Sequence, residues 1–170
     1  MVDLKAEITI DAPPDQVWRI VASDFGDIAH WATGIYASRM ISGGDRIGRG
    51  SARSCDTMMG TIEETLIEFD DDQRRLAYEG RGMPFFIRQA VNRWSVDAAG
   101  QTTSVLRIHA TLVLIPVIGT IIWAMSAPRM RRLRMHVPEE LKHLVETGEI
   151  HPRKINERRR RGKSRAGAAV

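Results

Sequence analysis

The sequence predicts an α+β domain in which a curved antiparallel sheet of seven strands is covered by a terminal helix. Three observations predict it. Apolar residues occupy every second position of an opening strand; turn-forming residues then divide positions 35–115 into six further strand-length pieces; and an apolar segment of helical length follows. A curved sheet of that length has one face to cover, and a single terminal helix fills such a trough incompletely. The order of elements therefore implies a container.

The opening strand is carried by Val2, Leu4, Ala6, Ile8 and Ile10. Asp11 is a candidate helix cap, and the fixed φ of Pro13 and Pro14 suits a first helical turn. The helix is expected to run through Val17, Trp18, Ile20 and Val21 to about Ser23. A second short helix presents Phe25, Ile28 and Trp31 on one side before Thr33 and Gly34 end it. Strands are expected at 35–41, 49–58, 61–69, 74–80, 85–97 and 102–115. Between them stand Ser42-Gly43-Gly44-Asp45, Met59-Gly60, Asp70-Asp71-Asp72, Gly80-Arg81-Gly82 and Ala98-Ala99-Gly100. Short connections between successive strands make an antiparallel meander.

Positions 110–128 hold no charged residue over nearly the length of a membrane-spanning helix. Pro116, Gly119 and the alternation of Leu106, Ile108, Ala110 and Leu112 favour another account: a strand to about Ile115, a turn at Pro116 and a helix from Val117. That helix continues through Ile118, Ile121, Ile122 and Met125, and Pro128 is expected to kink it or end its first half. A second half over Met130 to Met135 leads, after Pro138, to an amphipathic stretch with Leu141, Leu144 and Val145 on one side. Gly148 is the expected stop.

At 170 residues the chain has the size of one domain, placed at 1–150, with a basic tail over 151–170. From Arg153 onward eight basic residues face only Glu157, a net +7, so the remainder of a chain of net charge +4 carries −3. Beyond Ile155 the tail lacks an apolar face and has the composition of a disordered segment. It solubilises the chain or makes weak contact with an anionic membrane or nucleic acid; the lack of interleaved aromatics weakens the case for base stacking. Cys55 is the only cysteine, which excludes an internal disulfide and points to a reducing, cytoplasmic compartment. The amino terminus alternates instead of joining a charged stretch to an apolar run, so no signal peptide is read.

Candidate ligand-binding residues follow from strand parity. Phe86, Arg88, Ala90, Asn92, Trp94 and Val96 share a face, and Trp94 and Val96 make it the inner one. Arg88 and Asn92 then face inward, where a charge needs a partner: Glu64, Glu79 or a ligand oxygen. A β-bulge would return Arg88 to solvent. Tyr78 shares parity with Leu76 and offers an inward hydroxyl. Trp31, Tyr36, Met83, Trp123 and Met125 fall near expected walls or the mouth, with core packing as the alternative for each. His109 alternates with the apolar set of its strand and is expected to face solvent. Asp56, Glu63 and Glu64 offer carboxylates without a spacing diagnostic of acid–base work, and no nucleophile elbow, zinc spacing, phosphate loop or dinucleotide fingerprint is present, so no catalytic residue is assigned and no metal or cofactor is expected.

Ile10-Asp11-Ala12-Pro13-Pro14-Asp15-Gln16-Val17-Trp18, Gly48-Arg49-Gly50-Ser51-Ala52-Arg53, Ile62-Glu63-Glu64-Thr65-Leu66, Arg74-Arg75-Leu76-Ala77-Tyr78, Asn92-Arg93-Trp94-Ser95-Val96 and the closing helix form a scaffold pattern. Together these segments resemble the SRPBCC superfamily, similar in fold to START and birch-pollen-allergen domains and including the polyketide cyclase/dehydrase and lipid-transport group. The resemblance covers roughly residues 2 to 150. It implies a helix-grip fold with a deep apolar cavity between the strands and the terminal helix. It also implies a hydrophobic small molecule as partner, lipid-like or polyketide-like, bound by a carrier, sensor or sequestering protein. A cofactor-independent polyketide cyclase or dehydratase, working by folding a reactive substrate in a shaped pocket, is the second reading. A membrane-associated protein using 110–128 and the basic tail is the third.

Overall fold

The period-two segments become seven strands of one antiparallel sheet, ordered β1-β7-β6-β5-β4-β3-β2. They are β1 (Val2–Ile10), β2 (Ile35–Ser42), β3 (Ala52–Thr57), β4 (Gly60–Asp70), β5 (Arg75–Arg81), β6 (Ile87–Ala98) and β7 (Ser104–Leu114). The computed structural model describes residues 1–43, 46–133 and 135–167, without the side chains of 126, 129–133 and 163–167. Of the expected turn residues, Gly44 and Asp45 lie outside this set. Every strand from β2 to β7 pairs with its neighbour in sequence, as a meander requires, and β1 closes onto β7 from Val2 opposite Leu112 to Ile10 opposite Ser104. The fold is the helix-grip α+β arrangement that the element order anticipates.

Between β1 and β2 the chain forms α1 (Pro14–Trp18), a π turn over Arg19–Ser23, a 3-10 turn over Phe25–Asp27 and α2 (Ile28–Trp31). Pro14 stands at the start of α1, where its missing N–H costs no hydrogen bond. These turns bury Val17, Trp18, Phe25 and Ile28 against Leu66, Leu76 and Leu106 of the sheet. The Trp18 indole N–H donates to Asp71 at 2.6 Å, fixing the turn after β4 beneath α1.

The terminal helix is divided. α3 (Ile118–Leu133) contains Pro128 without ending at it, and α4 (His136–Thr147) follows. The amphipathic second element does the covering: Leu141 and Val145 enter the core. Polar groups fix its pose. The Lys142 ammonium donates to the Thr9 carbonyl at 2.7 Å, Glu146 accepts the Asp11 N–H at 2.7 Å, and buried Glu140 accepts the Thr33 N–H at 2.8 Å. Gly148 ends α4 at φ 74°, a left-handed backbone that suits glycine, and returns its N–H to the Leu144 carbonyl.

The basic tail corrects the expectation of disorder, for it forms α5 (Pro152–Gly167). With no apolar stripe, α5 docks through charge-assisted hydrogen bonds instead. Lys154, 1% exposed, donates to the carbonyls of Ala32 and Ile35 at 2.9 and 2.6 Å and to Glu157 at 3.0 Å. Arg158 reaches the His30 carbonyl, Glu157 accepts the Gly34 N–H, and Arg153 pairs with Glu139. Cations thus satisfy the carbonyls left open where α2 ends.

His151 precedes the first turn of α5, and its Nδ1 accepts the Arg153 N–H at 3.1 Å. Burial, then the Arg153 charge, holds this imidazole below its ordinary value of 6.5. A lowered folded pKa means that the unfolded chain binds more protons. The contribution to stability is therefore complete above about 6.5 and is lost as the pH falls through the folded value. Lowering the pH from 7.5 to 5.5 should reduce the thermal midpoint of the wild type more than that of His151→Asn; equal losses would contradict this account.

Candidate functional site

Inward residues of six strands meet under α2 and α4 around a cavity of about 200 Å³. Its apolar wall is Leu4, Ala6, Ile28, Ile35, Ile108, Ala110 and Val137, and Lys5 stands at the rim. Glu64, Tyr78, Asn92 and Trp94 give it one polar side. A void of about 10 Å³, room for one water at most, lies behind Ile28, Tyr78 and Trp94, which line both spaces. These three side chains form the partition.

The polar side is organised by an ion pair across the β3–β4 hairpin. Arg53 and Glu64 are directly opposite in register, and Arg53 Nε donates to Glu64 Oε2 at 2.6 Å with the arginine side chain 3% exposed. A second guanidinium nitrogen donates to the Phe25 carbonyl at 2.6 Å, and the group lies 3.9 Å from the Phe25 ring centroid. Burial opposes the Arg53 charge, but Glu64 together with Tyr78 and Cys55 outweighs it and raises the pKa. The Cys55 thiol donates to the same Glu64 oxygen at 3.7 Å.

Cys55 is pushed up to about 12 by burial and by Glu64, and Tyr78 is also driven upward, first by burial and then by Glu64. Thiol and phenol both stay protonated at neutral pH. They are donors, not nucleophiles or bases. The buried Trp94 indole N–H lies against the Tyr78 hydroxyl without a well-formed hydrogen bond. The cavity wall therefore offers a phenol O–H and an amide beside one carboxylate.

The ten sequence candidates divide accordingly. Glu64, Tyr78, Asn92 and Trp94 share the cavity wall. Arg88 does not: the β6–β7 register shifts between Ile87 and Gln89, and Arg88 lies exposed. Its suggested partners are engaged elsewhere, Glu64 with Arg53 and Glu79 with Gln89 at 2.8 Å. Tyr36 lies under the Arg161 guanidinium, 3.4 Å from its ring centroid, because α5 covers that face. Trp31 is core, lining the small void and an outer groove against α4. Met83 is half-buried beside Gly80, away from the cavity. Trp123 and Met125 follow α3 out of the trough, Met125 to 82% exposure. His109 binds Asp3 at 2.8 Å on the outer face.

Sequence reasoning missed Arg53, quoted there only as part of a scaffold pattern. Counting outward from the Thr57–Gly60 closing pair of the hairpin sets Arg53 opposite Glu64, so a signal existed. No comparable count reaches Ile28, Ile35 or Val137, which come from α2, the first residue of β2 and α4, elements whose seating depends on tertiary contacts.

A curved seven-stranded sheet gripping a terminal helix over a partly polar cavity defines the SRPBCC class. Residues 1–149 match the model of the polyketide cyclase/dehydrase and lipid transport family, and the chain belongs to that family. Among solved structures it is similar to the XoxI protein of Bacillus cereus, at 21% identity and a TM-score of 0.69 over 89% of this chain and 100% of that one. It is also similar to a START superfamily protein of Mycobacterium smegmatis (14%, TM-score 0.66, 86% and 98%). The third is a norcoclaurine synthase point mutant of Thalictrum flavum in complex with a transition-state analogue (13%, TM-score 0.65, 85% and 93%). No curated protein sequence matches the chain significantly. Among the described residues no helix is long and apolar enough to cross a membrane, and no cluster of metal-ligating side chains occurs.

Removing one member of a buried ion pair strands the other. Arg53→Met should cost about 3–5 kcal/mol in chemical denaturation, and adding Glu64→Leu should recover part of the loss. A single-variant cost below about 1 kcal/mol would show that the pair does not organise this wall.

Proposed function

We propose that this domain binds a small hydrophobic molecule in the cavity between the sheet and α4, as a carrier, sensor or sequestering protein. The observation that carries the reading is an apolar hollow with its hydrogen-bonding groups gathered on one side. Apolar burial supplies roughly 25 cal/mol per Å² of ligand surface, and the polar side sets orientation.

Size narrows the ligand. An apolar cavity of about 150 Å³ holds a benzene ring, so 200 Å³ takes one or two fused rings or a short chain. A longer molecule would extend past Lys5. Protonated Tyr78 suits a ligand bearing a hydroxyl or keto oxygen, while Glu64 suits a hydroxyl proton. Family membership supports a hydrophobic ligand or a cyclase reaction alike. The protonated thiol and phenol favour binding over acid–base chemistry here.

Denaturing mass spectrometry of the purified protein should release a co-purified apolar compound. With 2-naphthol as probe, Tyr78→Phe should weaken binding about tenfold, the worth of one hydrogen bond, and Ala110→Phe should abolish it by filling the cavity. Undiminished binding in a folded Ala110→Phe variant would overturn the proposal.

A further inference from the structure

A separate surface stands out at the end of the sheet where β7 passes into α3. Ile118, Ile121 and Met125 recur at helical spacing on one side of α3, exposed by 55, 58 and 82%. Val117 precedes them at 71% exposure and Phe85 of the β5–β6 loop stands at 74%. The two elements adjoin: the Ile115 N–H donates to the Phe86 carbonyl at 2.9 Å, and a Cβ on Gly119 would come within 3.0 Å of that same oxygen. Glycine at 119 lets the helix start press against the loop, which brings the exposed apolar side chains of both to the same end of the sheet. Exposed apolar surface of this kind marks contact with another apolar phase.

Charge identifies that phase. From Ala98 to Pro138 the sequence contains no aspartate or glutamate, while Arg129, Arg131, Arg132 and Arg134 follow the apolar stripe. Exposed Arg81 and Arg88 stand at the two ends of the β5–β6 loop. A 16-residue helix with an apolar side is too short and too charged to span a bilayer, and no described helix qualifies as a span. It matches instead a helix lying in the interfacial plane with its exposed apolar side chains toward the bilayer.

We propose that α3 and the β5–β6 loop together form a docking surface for an anionic lipid bilayer. The apolar side chains enter the acyl boundary, and the arginines draw the protein to the negatively charged leaflet. The surface is distinct from the cavity wall, so it stands or falls independently of the ligand proposal.

Vesicle sedimentation of the full chain tests it. The protein should co-sediment with vesicles of equal parts phosphatidylcholine and phosphatidylglycerol at 50 mM salt, and binding should fall at least tenfold with phosphatidylcholine alone or at 0.5 M salt. Ile121→Gln with Met125→Gln, both exposed and compatible with a helix, should reduce binding at least tenfold while leaving the thermal midpoint unchanged. Absence of co-sedimentation would overturn the proposal, as would binding indifferent to the double substitution. So would a wild-type dimer, seen by light scattering, that the double substitution dissolves, since a second copy would then cover this face.

Discussion

Seven antiparallel strands curl into a trough with one apolar face, and water is kept off that face by helical turns too small to fill it. This mismatch of covering to concavity governs the rest of the molecule. At one end α1, the turns after it and α4 press Val17, Trp18, Phe25, Leu141 and Val145 into a dense core. At the other, Leu4, Ile108, Ala110 and Val137 face one another across open space. Native interiors are packed like organic crystals. A hollow of about 200 Å³ beside such a core is a property of the architecture rather than a single packing flaw.

The covering elements are held by charges at their edges. α4 is tied by Lys142 and Glu146 to the end of β1 and the residue after it, and by Glu140 to the loop leaving α2. α5 then fastens that same loop through Lys154, Glu157 and Arg158. Arg53 performs the comparable task inside the trough, joining β3, β4 and the 3-10 turn at Phe25. Because Arg53 satisfies Glu64 internally, the carboxylate can face an apolar cavity without carrying an unpaired buried charge. The pair makes a polar wall tolerable.

Strand order was legible because a period of two and turn-forming residues are local signals, and all seven strands fall within a few residues of their expected bounds. Inward parity on β5, and on β6 from Ala90 onward, was legible for the same reason and placed Tyr78, Asn92 and Trp94 on one face. Arg88 failed because one irregular residue reverses parity, and the shift between Ile87 and Gln89 has no compositional mark. Met125 failed because apolar composition was read as burial, whereas α3 leaves the trough and the more amphipathic α4 covers it. The docked α5 was illegible because it buries cationic groups against open carbonyls, a tertiary arrangement that composition alone reads as disorder.

The central claim is that the trough is hollow and apolar between α4 and the sheet. Crystals of the ligand-free protein pressurised with xenon test it directly, since an empty apolar cavity takes up the gas. The account predicts a xenon atom among Ile108, Ala110, Val137 and Tyr78. Side-chain density filling that space, with xenon bound elsewhere or not at all, would contradict it.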